Sequence, residues 1–102
     1  MVWEPVATPP ALGPTDVHVW RARLDESLPQ QTACRAALTS HENARADEYL
    51  FDEPRQRFIA ARGTLRILLG RYLSVSPREV EFVYGEHGKP RLAQPVSDLT
   101  FN

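Results

Sequence analysis

The segment from residue 52 to residue 74 constrains the fold most, because its pattern predicts one long helix. Asp52 can cap its start, and Glu53 and Pro54 suit a first turn. With successive residues about 100° apart, one stripe about 100° wide is apolar. Its members are Phe58, Ala61, Leu65, Leu68, Leu69 and Tyr72. Such a stripe must be buried, so we expect the helix to pack against the rest of the fold through it.

Three arginines form a second stripe on the same predicted helix. Arg55, Arg62 and Arg66 fall within about 40° of one another, whereas Arg57 lies at the edge of the apolar face. A like-charge stripe with few acidic partners is mildly unfavourable by itself. The stripe indicates either a solvated helix side, with the arginine stems lying along the surface, or a surface that holds an anionic ligand.

Two shorter helices are predicted before the long one. The first is Leu28–Ala37, in which Pro29 suits the first turn. The second is charged, is capped by Ser40 and runs to Phe51 on the protein surface. Residues 1–16 hold four prolines among small residues and are expected to form an irregular leader.

Alternating patterns predict strands on both sides of the helices. Val17–Ala22 and Val80–Tyr84 read as strands, and Leu99–Asn102 reads as the beginning of another. The expected fold class is therefore α+β, with a small antiparallel sheet, including the strands near Val17 and Val80, packed on the long helix.

Composition excludes several function classes. The formal net charge is −1, which argues against a broad basic surface for nucleic acid. Cys34 is the single cysteine, so the chain cannot form an internal disulfide or a cysteine metal site, which fits a reducing cytoplasm. No apolar stretch is long enough to span a bilayer, so no membrane partner is expected.

The single lysine of the chain stands between a glycine and a proline. Gly88 allows a tight turn, and Pro90 stiffens the exit from it, so Lys89 projects from a rigid corner. The position suits a hairpin corner with a solvated lysine, or a point charge that holds a phosphate or carboxylate.

Three motifs in order carry a resemblance to a known family. Leu38-Thr39-Ser40 precedes a charged helix with Arg45. Arg57 to Gly63 follows, with Leu65-Arg66 and Leu68-Leu69, and Tyr84-Gly85 then leads to Gly88-Lys89-Pro90-Arg91-Leu92. The closing Leu99-Thr100-Phe101-Asn102 matches residues that precede a Ser-His pair in that family. From about Val17 to Asn102, the chain resembles the N-terminal half of the surfactin-synthetase-type 4′-phosphopantetheinyl transferases.

The resemblance implies an activity and a set of binding residues. Such enzymes move the phosphopantetheine arm of coenzyme A onto a serine of an acyl or peptidyl carrier protein, in fatty acid or secondary metabolite biosynthesis. Two similar halves, related by a pseudo-two-fold axis, bind coenzyme A between them. By resemblance, Arg45 would contact the 3′-phosphate, and Arg57 and Arg62 would add charge near the nucleotide phosphates. The adenine and phosphate region would be lined by Gly88, Lys89 and Pro90.

The family's remaining motifs are not found in this sequence. They include the Ser-His pair, the acidic magnesium ligands and the Lys-Glu-Ala-type segment with the general base, and Glu79, Glu81 and Glu86 do not reproduce them. We therefore expect no catalytic or metal-ligating residue here, an inactive chain when alone, a missing C-terminal half as partner, and self-association of the isolated half. Two alternatives remain open: a stand-alone module that binds a nucleotide or an acidic partner, and a structural piece that pairs through the edge after Leu99.

Overall fold

A computed structural model describes residue 13 and residues 17–20, 28–95 and 97–101, apart from the side chains of residues 28 and 29. The predicted leader at 1–16 lies almost entirely outside these residues. The described part is α+β. Its elements are helices α1 (Leu28–Ala37), α2 (Ser40–Asp47) and α3 (Asp52–Leu73), a 3-10 turn (Pro77–Glu79), and strands β1 (Glu81–Tyr84) and β2 (Pro90–Gln94).

The observed bounds of α1 confirm the prediction, whereas the predicted N-caps of α2 and α3 are wrong. The N-cap of α2 is Thr39 and not Ser40: the Thr39 hydroxyl accepts from the amide of Glu42, and the Glu42 carboxylate accepts from the amide of Thr39. α2 ends at Asp47 and not at Phe51, because the chain turns there and Phe51 adopts an extended conformation as the N-cap of α3. Asp52 is therefore the first helical residue and not a cap.

The buried face of α3 differs from the predicted one. Of the predicted apolar stripe only Leu69 is buried, and Ala61 is exposed. The buried residues are Ile59, Ala60, Gly63, Arg66, Leu69 and Gly70. The face that carries the arginine stripe is thus the one turned inward, and the predicted apolar face is left half-buried in this chain.

The close approach of α1 explains which face of α3 is buried. A Cβ atom added to Gly63 would lie 2.6 Å from the Cβ of Cys34 and 2.7 Å from its Cα, so only glycine allows this crossing. Cys34 is a buried free thiol, and it forms the core with Leu38, Ala46 and Ile59. The core therefore sits among the three helices, with the sheet to one side.

Within the residues that the structure describes, the sheet is one antiparallel hairpin. β1 pairs with β2, with Tyr84 opposite Pro90. The turn closes through bonds from the Gly85 amide to the Lys89 carbonyl (3.1 Å) and from the Gly88 amide to the Gly85 carbonyl (3.0 Å). Gly88 has φ of 73°, so the predicted tight turn and its glycine are confirmed.

Two predicted strands are not found where the structure describes them. Residues 17–20 are irregular, while Arg21 and Ala22 lie outside the described residues. Trp20 instead packs edge-on against Tyr72 of α3 and donates from Nε1 to its hydroxyl (2.7 Å). Residues 99–101 are also irregular, and Asn102 is not described. Alternation of side chains alone is therefore insufficient, because a strand also needs a neighbour that accepts its hydrogen bonds.

Candidate functional site

One buried carboxylate organises the surroundings of the arginine stripe. Glu42 lies in the first turn of α2, and its side chain is 4% exposed. Arg66 donates to it twice, from Nε to Oε1 (2.5 Å) and from Nη2 to Oε2 (3.1 Å). Arg62 donates from Nη1 to Oε2 (3.0 Å). Glu42, which completes the capping box of α2 with Thr39, therefore also joins that helix to α3 by a buried ion pair.

Arg66 extends the same network to the sheet. Its Nη1 donates to the carbonyls of Pro77 (3.0 Å) and Val80 (2.5 Å), which lie just before β1. Its guanidinium also lies over the Phe82 ring, 4.8 Å from the centroid. Since its side chain is only 5% exposed, Arg66 serves the fold and is not available to a ligand. The solvated-side interpretation of the stripe is therefore wrong for Arg66.

The electrostatics of Glu42 follow from these contacts. Burial alone raises the pKa of Glu42, but hydrogen bonds from Arg66, the Thr39 amide and Arg62, with the charge of Arg66, more than offset it. The net effect lowers the pKa of Glu42 below its ordinary value. The carboxylate is therefore ionised at neutral pH, and with two guanidiniums around it the group of three carries a net positive charge.

Arg62 lies at the outer side of this network, in an aromatic setting. Its Nη1 also donates to the hydroxyl of Tyr84 on β1 (2.7 Å). The guanidinium carbon is 5.5 to 5.6 Å from the centroids of the Phe58, Phe82 and Tyr84 rings. Its side chain is 12% exposed, compared with 5% for Arg66, so Arg62 keeps access to solvent.

Arg45 of α2 shares one of these rings. Its guanidinium carbon lies 5.1 Å from the centroid of Phe58, and the residue is exposed. The guanidiniums of Arg45 and Arg62 thus contact the same aromatic ring. No carboxylate contact is described for Arg45. An exposed guanidinium such as that of Arg45 can bind an anion through charge-assisted hydrogen bonds.

The structure brings some of the predicted site residues close together. Arg45 and Arg62 come together on Phe58, and Pro90 is linked to them because it pairs with Tyr84, which binds Arg62. Gly88 and Lys89 lie exposed in the adjoining turn.

Arg57 does not join this cluster through any contact described. Its Nη2 pairs with Glu53 at 2.6 Å, one turn earlier on α3, and both side chains are largely exposed.

Sequence reasoning missed the residues that hold Arg62 in place. Glu42 had a signal, since Thr39-x-x-Glu42 before a charged helix is a capping-box pattern, but its pairing with α3 had none. Tyr84 was predicted as a strand residue and as part of the Tyr84-Gly85 motif, and Phe58 as part of the apolar stripe and of the motif from Arg57 to Gly63. Neither was predicted to contact Arg62. Arg55, assigned to the arginine stripe, instead donates to backbone carbonyls of Ala46 and Tyr49 and pairs with Asp52.

The residues that the structure describes offer no ligand set for magnesium. Nowhere among them do three His, Cys, Asp or Glu side chains gather in a way that could hold a metal ion. This part of the chain therefore offers no cluster of three such side chains for the magnesium that the family resemblance implies. Within the same residues, none of the helices combines the length and the apolar character that a bilayer crossing requires.

Comparison with known proteins identifies relatives in one enzyme class, the 4′-phosphopantetheinyl transferases. The 4′-phosphopantetheinyl transferase HetI of Nostoc sp. is 42% identical over 102 residues, which cover 98% of this chain and 43% of HetI. The protein slr0495 of Synechocystis sp., whose name assigns it provisionally to the same activity, is 39% identical over 75 residues, covering 74% of this chain and 30% of that protein. No family model and no solved structure matches the chain.

These relatives support assignment of the chain to the 4′-phosphopantetheinyl transferase family. The chain spans less than half of the length of either relative, 43% of one and 30% of the other. The family resemblance drawn from the motifs is thus supported by the sequence comparison.

Proposed function

We propose that this chain forms the coenzyme A-binding N-terminal half of a surfactin-synthetase-type 4′-phosphopantetheinyl transferase. The observation that carries the proposal is the convergence of Arg45 and Arg62 on the ring of Phe58, in a chain similar to two proteins named for this activity. Tyr84 connects this cationic cluster to the hairpin that bears Lys89. Helices α2 and α3 and the hairpin would together form one wall of a nucleotide pocket.

The chemistry of the cluster suits a multiply phosphorylated nucleotide. A guanidinium carries five N–H donors, and the two bonds described for Arg62 both leave from Nη1. Its Nε and Nη2 groups would therefore meet phosphate oxygens in a bidentate pair. Each charge-assisted bond of this kind contributes about 1.5–3 kcal/mol.

The remaining binding residues take the roles that the family resemblance implies. Arg45 would contact the 3′-phosphate, and Gly88, Lys89 and Pro90 would bring backbone and charge close to the base and phosphates. Arg57 would assist by releasing Glu53. An exposed ion pair is worth only about 0–1 kcal/mol, so a phosphate competes for Arg57 at little cost.

The complete reaction would need groups from outside this chain. Transfer to the serine of an acyl or peptidyl carrier protein requires a metal to neutralise developing charge and a group to activate the hydroxyl. A C-terminal half, related to this one by a pseudo-two-fold axis, would supply the metal and the group that activates the hydroxyl. The complete enzyme would act in the cytoplasm. This chain alone would then bind coenzyme A without transferring its phosphopantetheine. The half-buried apolar face of α3, with Leu65, Leu68 and Tyr72, would favour self-association of the isolated half.

The nucleotide site is tested by comparing coenzyme A with 3′-dephospho-coenzyme A in titration calorimetry on the purified protein. The protein should bind coenzyme A more tightly, and Arg45→Gln should remove about a tenfold preference, equal to one charge-assisted contact. Arg35→Gln is the matched control, since Arg35 is also a helix arginine but pairs with Asp47 and contacts none of the site residues described. No binding of coenzyme A, or an unchanged preference in Arg45→Gln, would contradict the proposal.

The transfer step is tested separately with a protein that spans the full length of the relatives. With magnesium, coenzyme A and an apo carrier protein, mass spectrometry should detect carrier that has gained phosphopantetheine. Binding of coenzyme A without any transfer would favour the alternative of a nucleotide-binding module.

A further inference from the structure

We infer that Glu42 is a positioning residue, which fixes Arg62 so that its outer N–H groups face an incoming phosphate. The inference rests on the proposed nucleotide site and deepens it by naming the residue that organises the site. Glu42 itself would contact no ligand, because its side chain is 4% exposed and all its described contacts are with the protein.

The carboxylate of Glu42 is a fixed anchor. Oε1 accepts from the Thr39 amide (3.2 Å) and from Nε of Arg66, while Oε2 accepts from Nη2 of Arg66 and Nη1 of Arg62. Four donors on two oxygens, two of them in a bidentate pair with Arg66, leave the carboxylate no freedom to rotate. Arg62 is therefore held on one side by a group that cannot move with it.

A second set of contacts restrains Arg62 from the side of the sheet. The Tyr84 hydroxyl accepts from the same Nη1 nitrogen, and the rings of Phe58 and Tyr84 lie against the guanidinium. A free arginine side chain loses rotamer entropy when it binds a ligand. Here that entropy is lost on folding, so phosphate binding should be stronger than binding to an unrestrained arginine.

The negative charge of Glu42 could instead weaken phosphate binding by neutralising Arg62. Arg66 makes two of the bonds to the carboxylate and balances its charge, so the group of Glu42, Arg62 and Arg66 retains one net positive charge. Neutralising Glu42 raises that net charge to two, which by itself favours an anion. We expect the loss of positioning to outweigh this gain, so that removing the anchor lowers the affinity for an anion.

Glu42→Gln removes the contact that anchors Arg62. The glutamine oxygen should occupy the place of Oε1, where the Thr39 amide and Arg66 Nε both require an acceptor. The amide NH2 group then faces two donors, Arg62 Nη1 and Arg66 Nη2, so the contact that holds Arg62 is lost together with one of the two bonds from Arg66. Affinity for adenosine 3′,5′-bisphosphate, the nucleotide end of coenzyme A, should fall about tenfold, one charge-assisted contact.

The matched control is Asp47→Asn. Asp47 is a carboxylate on the same helix that pairs with Arg35 on the surface. This variant should bind the bisphosphate as tightly as the unaltered protein does.

A double-mutant cycle separates positioning from general support of the fold. If Glu42 acts through Arg62, Glu42→Gln should have no further effect on bisphosphate affinity once Arg62→Gln is present. If Glu42→Gln lowered the bisphosphate affinity by the same factor in both backgrounds, Glu42 would act only through stability. That result would overturn the inference. An unchanged or raised affinity in Glu42→Gln alone would also overturn it.

Tyr84→Phe keeps the test decisive if Glu42→Gln fails to fold. It removes the other acceptor of Arg62 Nη1 at an exposed position, and should weaken bisphosphate binding about threefold, again with no effect once Arg62→Gln is present. Additive losses in this cycle would reject the anchored arrangement of Arg62. Failure of the unaltered protein to bind the bisphosphate would overturn the nucleotide site and this inference together, whereas normal binding with unaffected variants would overturn only the role of Glu42.

Discussion

Replacing Gly63 by alanine should destabilise the protein, although alanine is the better helix former. Gly63 lies in the middle of α3, where propensity alone predicts a gain of about 1 kcal/mol. The new Cβ would however lie 2.6 Å from the Cβ and carbonyl oxygen of Cys34 and 2.7 Å from its Cα. Two of these three atoms belong to the backbone of α1, so no rotation of a side chain relieves the contact.

The size of the effect follows from the displacement required. Carbon atoms pack best at about 3.5–4.0 Å, so α1 must move away from α3 by roughly 1 Å. That movement loosens the core around Cys34, Leu38 and Ile59. Overpacking costs about 1–3 kcal/mol, and the gain in propensity offsets part of it, which leaves a net loss of about 1–2 kcal/mol.

The assay is urea unfolding followed by far-ultraviolet circular dichroism, supported by thermal melting. The expected loss should lower Tm by about 5–15 °C for a domain of this size. Ala61→Gly, at an exposed position of the same helix, is the control for propensity and should cost up to about 1 kcal/mol. A Gly63→Ala protein as stable as the original, or more stable, would refute the close crossing of α1 and α3.

Three further outcomes are expected. Because the pKa of Glu42 is lowered in the folded state, its contribution to stability should be complete above the unfolded pKa of about 4.3 and be lost as pH falls through the folded value, so Tm plotted against pH should be flatter in Glu42→Gln than in the original. Arg66→Met should cost about 3–5 kcal/mol in urea unfolding, since it leaves a buried carboxylate with fewer partners, whereas Arg71→Met, at an exposed position of the same helix, should change little. Gly88→Ala should cost about 1–2 kcal/mol because of its φ of 73° and not through any clash, and Gly88→Asn should restore part of that stability in the same measurement.

The sequence was sufficient for those features that depend on neighbouring residues. α1 and α3 have nearly the predicted bounds, because helix-forming residues and a proline in the first turn act over a few positions. The hairpin was predicted as well, since Gly88 permits the positive φ of the turn and Pro90 restricts the exit from it. The resemblance of the ordered motifs to one enzyme family also came from the sequence, and the similarity to HetI supports it.

Features that depend on distant residues required the tertiary structure. The sequence pattern predicted that the apolar stripe of α3 is buried. In the structure, Gly63 lets α1 approach α3 on another face. Arg66 is buried on that face because Glu42 offers it a carboxylate. That carboxylate lies 24 positions earlier in the chain, and no periodicity within α3 reveals it. Likewise, Arg45 and Arg62 were separate candidates until the fold placed both on Phe58. Local preferences thus determined which segments are helical and where the chain turns, whereas burial and charge pairing between segments decided which face of α3 is covered and which arginine remains accessible.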